Sequence, residues 1–297
     1  MNMAPSLDFR GQLRHNEPMS RHCSWRSGGS ADLYFEPADV DDLGMFLGTL
    51  TEATAITWLG LGSNLLVRDG GLRGVVISVL NRLNEMKRLA DGRVYAECGV
   101  TDAKLARFCQ KQGLAEADFL AGIPGTIGGA LAMNAGAFGF ETWDYVDAVD
   151  MMNRKGEIVH RNRDEFEASY RHVSKAEGEW FVAGYLRFPQ ADPARESNIK
   201  PLLDKRNASQ PIGLPSCGSV FRNPPGDHAA RLIEACGLKG HCIGGACVSD
   251  KHANFIINAG DATATDIEAL IDEVRERVLQ DYGVRLIEEV RILGDRL

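Results

Sequence analysis

Residues 122–139 read GIPGTIGGALAMNAGAFG: eighteen residues, six of them glycine, with no charged side chain. Glycine lacks a Cβ, so its backbone amides can approach a ligand closely and in conformations closed to other residues. Two more stretches share this character, Arg26-Ser27-Gly28-Gly29 and LGLGSNLL at 59–66. One such loop is commonly only a turn, but three in the first half of one chain point to an anion held by backbone. The dinucleotide fingerprint G-x-G-x-x-G fails, because Leu65 stands where its third glycine would be, and no G-x-x-x-x-G-K-[ST] occurs. A diphosphate cradled by neutral main chain fits the missing charge. Ile123, Ile127, Leu131, Ala132 and Met133 would then lie beside a large ring system, although core packing alone explains each of them singly.

Working outward, 297 residues suggest two domains. Hydrophobic residues at 44% and charged residues at 25% are those of an ordinary globular protein, and a net charge of −8 argues against general attraction to nucleic acid or anionic membrane. Seven cysteines, none spaced C-x-x-C, argue against a disulfide framework or a zinc ribbon, so reduced thiols in a cytoplasmic protein are expected. The histidines are scattered and no metal site is expected. The start of the chain has no apolar stretch of signal-peptide type, and no apolar run reaches membrane-spanning length.

Residues 1–25 read as a polar N-terminal arm. Residues 26–190 alternate strand-like text (ADLYFE, ITWLGL, VVISVL, VYAEC, WFVAGYLRF) with single helices, as in an α+β domain of two subdomains, about 26–80 and 81–190. Arg154-Lys155-Gly156 marks a hairpin between Val146–Asn153 and Glu157–His160. A polar, proline-rich crossing leads into a smaller α+β domain, 191–297, with a helix at Asp266–Tyr282. Thr265 and Glu268 are expected to form its capping box, and Val284–Leu293 a final strand.

GLGSNLLV at 60–67, the glycine-rich stretch, SYRHV at 169–173, GSVFRNP at 218–224, GLKGHCIGGACVSDKHANFIIN at 237–258 and EEVRILG at 288–294 occur in one order along the chain. This set resembles the UDP-N-acetylenolpyruvoylglucosamine reductases from about Arg26 onward. The resemblance implies an FAD-binding domain of the vanillyl-alcohol-oxidase (PCMH) type plus a smaller α+β substrate-binding domain, in the shorter branch that lacks an inserted tyrosine-bearing loop. It implies non-covalently bound FAD, NADPH as hydride donor, and reduction of UDP-N-acetylglucosamine enolpyruvate to UDP-N-acetylmuramate for peptidoglycan. It also implies small-molecule partners only, and a monomer or weak oligomer in the cytoplasm.

Carried over residue by residue, the resemblance places the cofactor against Gly60, Gly62, Ser63, Asn64, Leu65, Gly122, Ile123, Pro124, Gly125, Ile127, Gly128, Gly129, Ala132, Asn134, Ala135 and Gly136. Ser219 becomes the proton donor, Arg171 the partner of the substrate carboxylate, and Glu289 a group across the reacting double bond. Arginine suits its part because its planar fork meets a carboxylate through two hydrogen bonds and stays charged. Leu286-Ile287-Glu288-Glu289-Val290-Arg291 departs from the family's Glu-Pro-Glu-Val-Arg; the match to Glu-Val-Arg selects Glu289, and strand alternation sends Glu288 to the other face. Tyr170, Arg222, Lys251 and His252 are expected to contact substrate. Cys217 replaces an alanine before GS and is expected as an accessible thiol near the site; Val173 replaces a serine. A different FAD oxidoreductase of this fold would keep the first 190 residues without needing GSVFRNP and EEVR. A non-catalytic sugar-nucleotide-binding protein would keep the glycine loops alone.

Overall fold

The computed structural model describes residues 9–192 and 198–297. Contacts divide the chain into two units, each assembled from separate pieces of sequence. Unit 1 takes residues up to Arg14, Tyr34–Leu61 and Gly74–Asp204; unit 2 takes His15–Leu33, Gly62–Arg73 and Lys205–Leu297.

Unit 1 is built on a five-stranded antiparallel sheet, in the order Ile158–Asn162, Val146–Asn153, Glu179–Leu186, Val94–Glu97, Met86–Arg88. Its first two strands form the hairpin expected from Arg154-Lys155-Gly156, with Met151 opposite Val159 and Gly156 at φ 78°. Helices α2 (Asp102–Lys111) and α3 (Ile127–Met133) join its core, which gathers Val94, Leu105, Ile127, Leu131, Trp143, Val149, Met151 and Phe181. Helix α1 (Val40–Gly48) is capped by Asp39, whose side chain accepts from the Asp42 amide. The parallel pair Ile56–Leu59 and Val75–Ser78 belongs to a four-stranded sheet, ordered Gln12–Pro18, Ser30–Glu36, Leu72–Ser78, Ile56–Leu59. Helix α4 covers Ile199–Ser209.

Unit 2 packs helices α5 (Ala229–Ala235) and α6 (Ala264–Tyr282) with a small sheet of Cys242–Ile243, Ala246–Val248 and Ile256–Asn258. The α6 stripe of Ile267, Leu270, Ile271, Val274 and Val278 is almost wholly buried. Each such side chain contributes roughly 1.5–3 kcal/mol. The parallel pair Leu65–Val67 and Arg291–Leu293 also lies here.

Several sequence expectations are corrected. Residues 1–25 are not simply an arm. Gln12–Pro18 is a strand, and Trp25 is fully buried, its indole donating to Ile256 O at 2.8 Å. Charged residues around both hid this; residues 1–8 lie outside the described residues. The α6 capping box is Thr263 with Asp266, two residues earlier than expected. Thr265 instead bonds Asp69, and Glu268 pairs with Arg68 and Arg296. Both T-x-x-acid patterns fit the sequence, and distant partners decide between them. The final strand shrinks to Arg291–Leu293. Cys242 and Cys247 form a disulfide, against the expectation of thiols throughout. They face each other across a hairpin turned by Gly244, a pairing that motif spacing does not reveal.

Thr263→Ala removes the α6 cap and should cost about 0.5–2 kcal/mol, against about 2–5 kcal/mol for Leu270→Ala. Denaturant melts check both; a Thr263→Ala protein as stable as wild type contradicts the assigned cap.

Candidate active site

In unit 1 the opening stretch is a turn, a loop and a short helix. Ala117–Gly122 forms a 3-10 turn, the loop runs to Thr126, and α3 follows with the Thr126 hydroxyl accepting from the Gly129 amide. Three main-chain hydrogen bonds pin it to residues 98–102: Asp102 N–H to Gly125 O at 3.2 Å, Ile127 N–H to Val100 O at 2.9 Å and Gly128 N–H to Cys98 O at 2.9 Å. That closeness explains much of the glycine. A Cβ on Gly128 would stand 2.8 Å from Cys98 Cβ, and one on Gly125 would stand 2.7 Å from Asp102 Oδ2. On Gly60 it would meet the Thr126 hydroxyl at 2.4 Å, so the end of the strand Ile56–Leu59 touches the same loop.

Gly129 differs. It is exposed, and the nearest atom to an added Cβ is Thr126 Oγ1 at 3.8 Å. Pro124 is exposed too, and Ile123 and Ala132 are half-buried. These residues leave an uncharged, partly apolar surface on which a flavin dinucleotide fits. Ile127 is wholly buried in the core and Asn134 nearly so. Asn134, left-handed at φ 45°, donates to Glu141 and Ser169 O and accepts from the Trp143 amide. Its side chain therefore holds the loop, and Ile127 has only backbone to offer a ligand.

Arg171 sits at the tip of a tight hairpin between Ala168–Ser169 and His172–Val173, at φ 56°. Its guanidinium reaches Asn134 O at 3.5 Å and Gly136 O at 3.3 Å and lies over the exposed Tyr170 ring, 5.1 Å from its centroid. The arginine fork thus rests on the carbonyls that end the glycine stretch.

Asp102, at the start of α2, was missed by sequence reading. It is fully buried, and neither carboxylate oxygen has a hydrogen-bond partner among the described residues. Burial pushes its carboxyl well above the usual carboxylate range. A helix start favours a negative charge by about 0.3–1 kcal/mol, whereas an unpaired buried ion costs several, so burial wins. An aspartate opening a helix looks like an exposed capping residue in sequence, which masked it.

In unit 2 the segment after Ser219 pairs with the segment of Glu289. Glu289 N–H donates to Val220 O at 2.8 Å, and Phe221 bridges to Glu288 antiparallel. Buried Asn254 clamps this segment by accepting from Phe221 N–H, donating to Phe221 O and taking the Val220 amide on its own carbonyl. Asn64 donates to Glu289 O at 3.0 Å, so the part of the second loop from Gly62 onward supports the glutamate segment; Leu65 there is buried, and Ser63 lies between. Glu288 pairs with Arg275 of α6, leaving Glu289 as the carboxylate beside the serine segment. Arg222 Nε and His252 Nδ1 are buried without hydrogen-bond partners among the described residues, and burial lowers the His252 pKa. Lys251 Nζ donates to Asn207 O. Arg171 belongs to unit 1, apart in the contact division from the pair formed by Ser219 and Glu289.

Cys217 is buried, its thiol 3.4 Å from Leu65 O and pushed up to about 12 by burial, which overturns the expectation of an accessible thiol. Among the described residues no group of His, Cys, Asp or Glu could hold a metal ion, and no helix is long and apolar enough to cross a membrane.

A family model for FAD-binding domains matches residues 31–162. This marks the chain as a flavoprotein. A second model, the C-terminal domain of UDP-N-acetylenolpyruvoylglucosamine reductase, matches residues 210–293. The reductase of that name from Methylococcus capsulatus is 57% identical over 98% of this chain and 95% of its own. That from Alkalilimnicola ehrlichii is 56% identical over 96% of both. A crystal structure of UDP-N-acetylenolpyruvylglucosamine reductase from Thermus caldophilus matches with a TM-score of 0.80 at 27% identity, covering 95% of this chain and 98% of that one. The chain belongs to the UDP-N-acetylenolpyruvoylglucosamine reductase family.

Buried Cys217 should resist alkylation in the native protein, whereas half-exposed Cys236 should react first among the free thiols. Mass spectrometry after brief iodoacetamide treatment checks this; labelling of Cys217 before unfolding contradicts it.

Proposed function

We propose that this chain catalyses NADPH-dependent reduction of UDP-N-acetylglucosamine enolpyruvate to UDP-N-acetylmuramate. The carrying observation is 57% identity to a reductase of that name over 98% of the chain. The main-chain pairing of the Ser219 segment with Glu289 supports it. FAD, when bound, would supply the hydride-transfer chemistry between NADPH and the substrate double bond.

The chain's own residues supply position, charge and a proton. The glycine loop, through Gly122, Gly125, Gly128, Gly129, Ala135 and Gly136, offers neutral backbone to the cofactor diphosphate. Arg171 meets the substrate carboxylate and stabilises the negative charge that develops beside it, the kind of preorganised electrostatic help that dominates many such steps. Ser219 Oγ gives its proton to the carbon next to that carboxylate. A hydroxyl is a poor acid and serves only because this carbon is strongly basic at that moment. Glu289 orients the double bond from the far side. Arg222 and His252, whose buried nitrogens have no partner among the described residues, take polar groups of the sugar nucleotide, and Tyr170 and Lys251 also contact the substrate. Both substrates are water-soluble nucleotides, which supports a reaction in the cytoplasm.

Purified protein should be yellow, should bleach anaerobically with NADPH, and should recover its colour on adding the enolpyruvyl sugar nucleotide. Ser219→Ala should bleach at the wild-type rate yet reoxidise about 10²–10⁴-fold more slowly. Equal loss of both half-reactions would remove Ser219 from its role. Reoxidation by oxygen alone would point to a different substrate.

A further inference from the structure

Asp102 is costly where it stands. A buried polar group without a partner is rare in folded proteins and calls for an explanation. Its carboxylate has none among the described residues, and it faces one feature in particular: Oδ2 fills the space where a side chain at Gly125 would go. The Asp102 amide is bonded to Gly125 O, and Thr101 bridges to Thr126, so the acid lies directly behind the middle of the glycine loop.

We infer that Asp102 is a positioning residue for the cofactor, a carboxyl kept neutral behind the loop so that the FAD diphosphate and the Asp102 proton bind together. The inference rests on reading this loop as the cofactor cradle. An ionised carboxylate behind Gly125 would repel a diphosphate on the loop, through a low-dielectric interior that screens poorly. By reciprocity, the diphosphate must strengthen the acid's hold on its proton, and the proton must strengthen the hold on FAD.

The surroundings supply no competing charge. The loop 122–126 has no titratable side chain. Residues 98–101 contribute only the Cys98 thiol, itself kept protonated by burial. On α2, Lys104 is exposed and bonded to Asn81, and Arg107 and Lys111 are exposed. The turn packed against α2 carries Asp118, which accepts from the Asn198 amide, and Glu97 adjoins Cys98 with its carboxyl accepting from the Glu85 amide. Burial alone raises Asp102.

The signs follow. The folded pKa lies above the unfolded one, so the proton's contribution to stability is fully present below the ordinary aspartate range and is lost as pH rises to the folded value. FAD affinity should fall as pH climbs through that folded value.

The test is FAD release from the holoprotein, followed by ultrafiltration and flavin fluorescence across the whole pH range in which the protein stays folded, for wild type and Asp102→Asn. The amide keeps the shape and hydrogen-bonding capacity of the neutral acid but cannot ionise. Wild-type dissociation constants should rise with pH by at most about tenfold per unit, while Asp102→Asn stays within about twofold. Thermal melts should show Asp102→Asn gaining on wild type as pH rises. Parallel pH profiles overturn the inference, as does loss of FAD from Asp102→Asn at every pH. Gly129→Glu, on the open face of the loop, separates the two readings: wild-type FAD affinity in that variant removes the cradle itself, and the inference with it.

Discussion

The site depends on a close approach of two backbone segments. Residues 125–128 lie against residues 98–102, joined by the amides of Asp102, Ile127 and Gly128. Only glycine at 125 and 128 permits this, because any Cβ would overlap Asp102 or Cys98. The three bonds fix the loop to the end of the strand Val94–Glu97 and to the start of α2, elements rooted in the unit 1 core. Each net hydrogen bond is worth only about 0.5–1.5 kcal/mol. Their value lies in geometry, since a loop tied at three points presents the same backbone surface to every ligand that arrives.

The serine segment of unit 2 solves the same problem differently. Its anchor is buried Asn254, whose side chain takes the amide and carbonyl of Phe221 and whose own carbonyl takes the Val220 amide. The Glu289 amide then docks on Val220 O, and Asn64 on Glu289 O. Breaking the asparagine clamp would leave several buried backbone groups unpaired, each costing more than a surface bond returns. Arg171 is held by the carbonyls of the glycine stretch, so in unit 1 the proposed cofactor loop also carries the substrate's proposed charge partner.

Much of this was legible in the sequence. The glycine stretch, the hairpin at Arg154-Lys155-Gly156 and the apolar stripe of α6 carry local signals, in composition, turn chemistry and periodicity. What escaped depends on distant partners. Thr263 and Thr265 both precede an acid by three residues, and only the contact of Thr265 with Asp69 separates them. Trp25 sits among charged residues, and its burial against Ile256 joins positions 231 residues apart. The two units are discontinuous in sequence, a grouping that no linear change of composition marks. Asp102 escaped because burial is a property of the folded neighbourhood, and the residue type argued for the surface.

The central claim is that segment 98–102 and segment 122–136 act as one platform for the cofactor. Amide hydrogen exchange on the full chain, with and without FAD, tests it most directly. FAD should slow exchange most across these two segments together, with Ile127 and Gly128 among the most protected amides. Strong protection elsewhere, with both segments exchanging as they do without FAD, would contradict it.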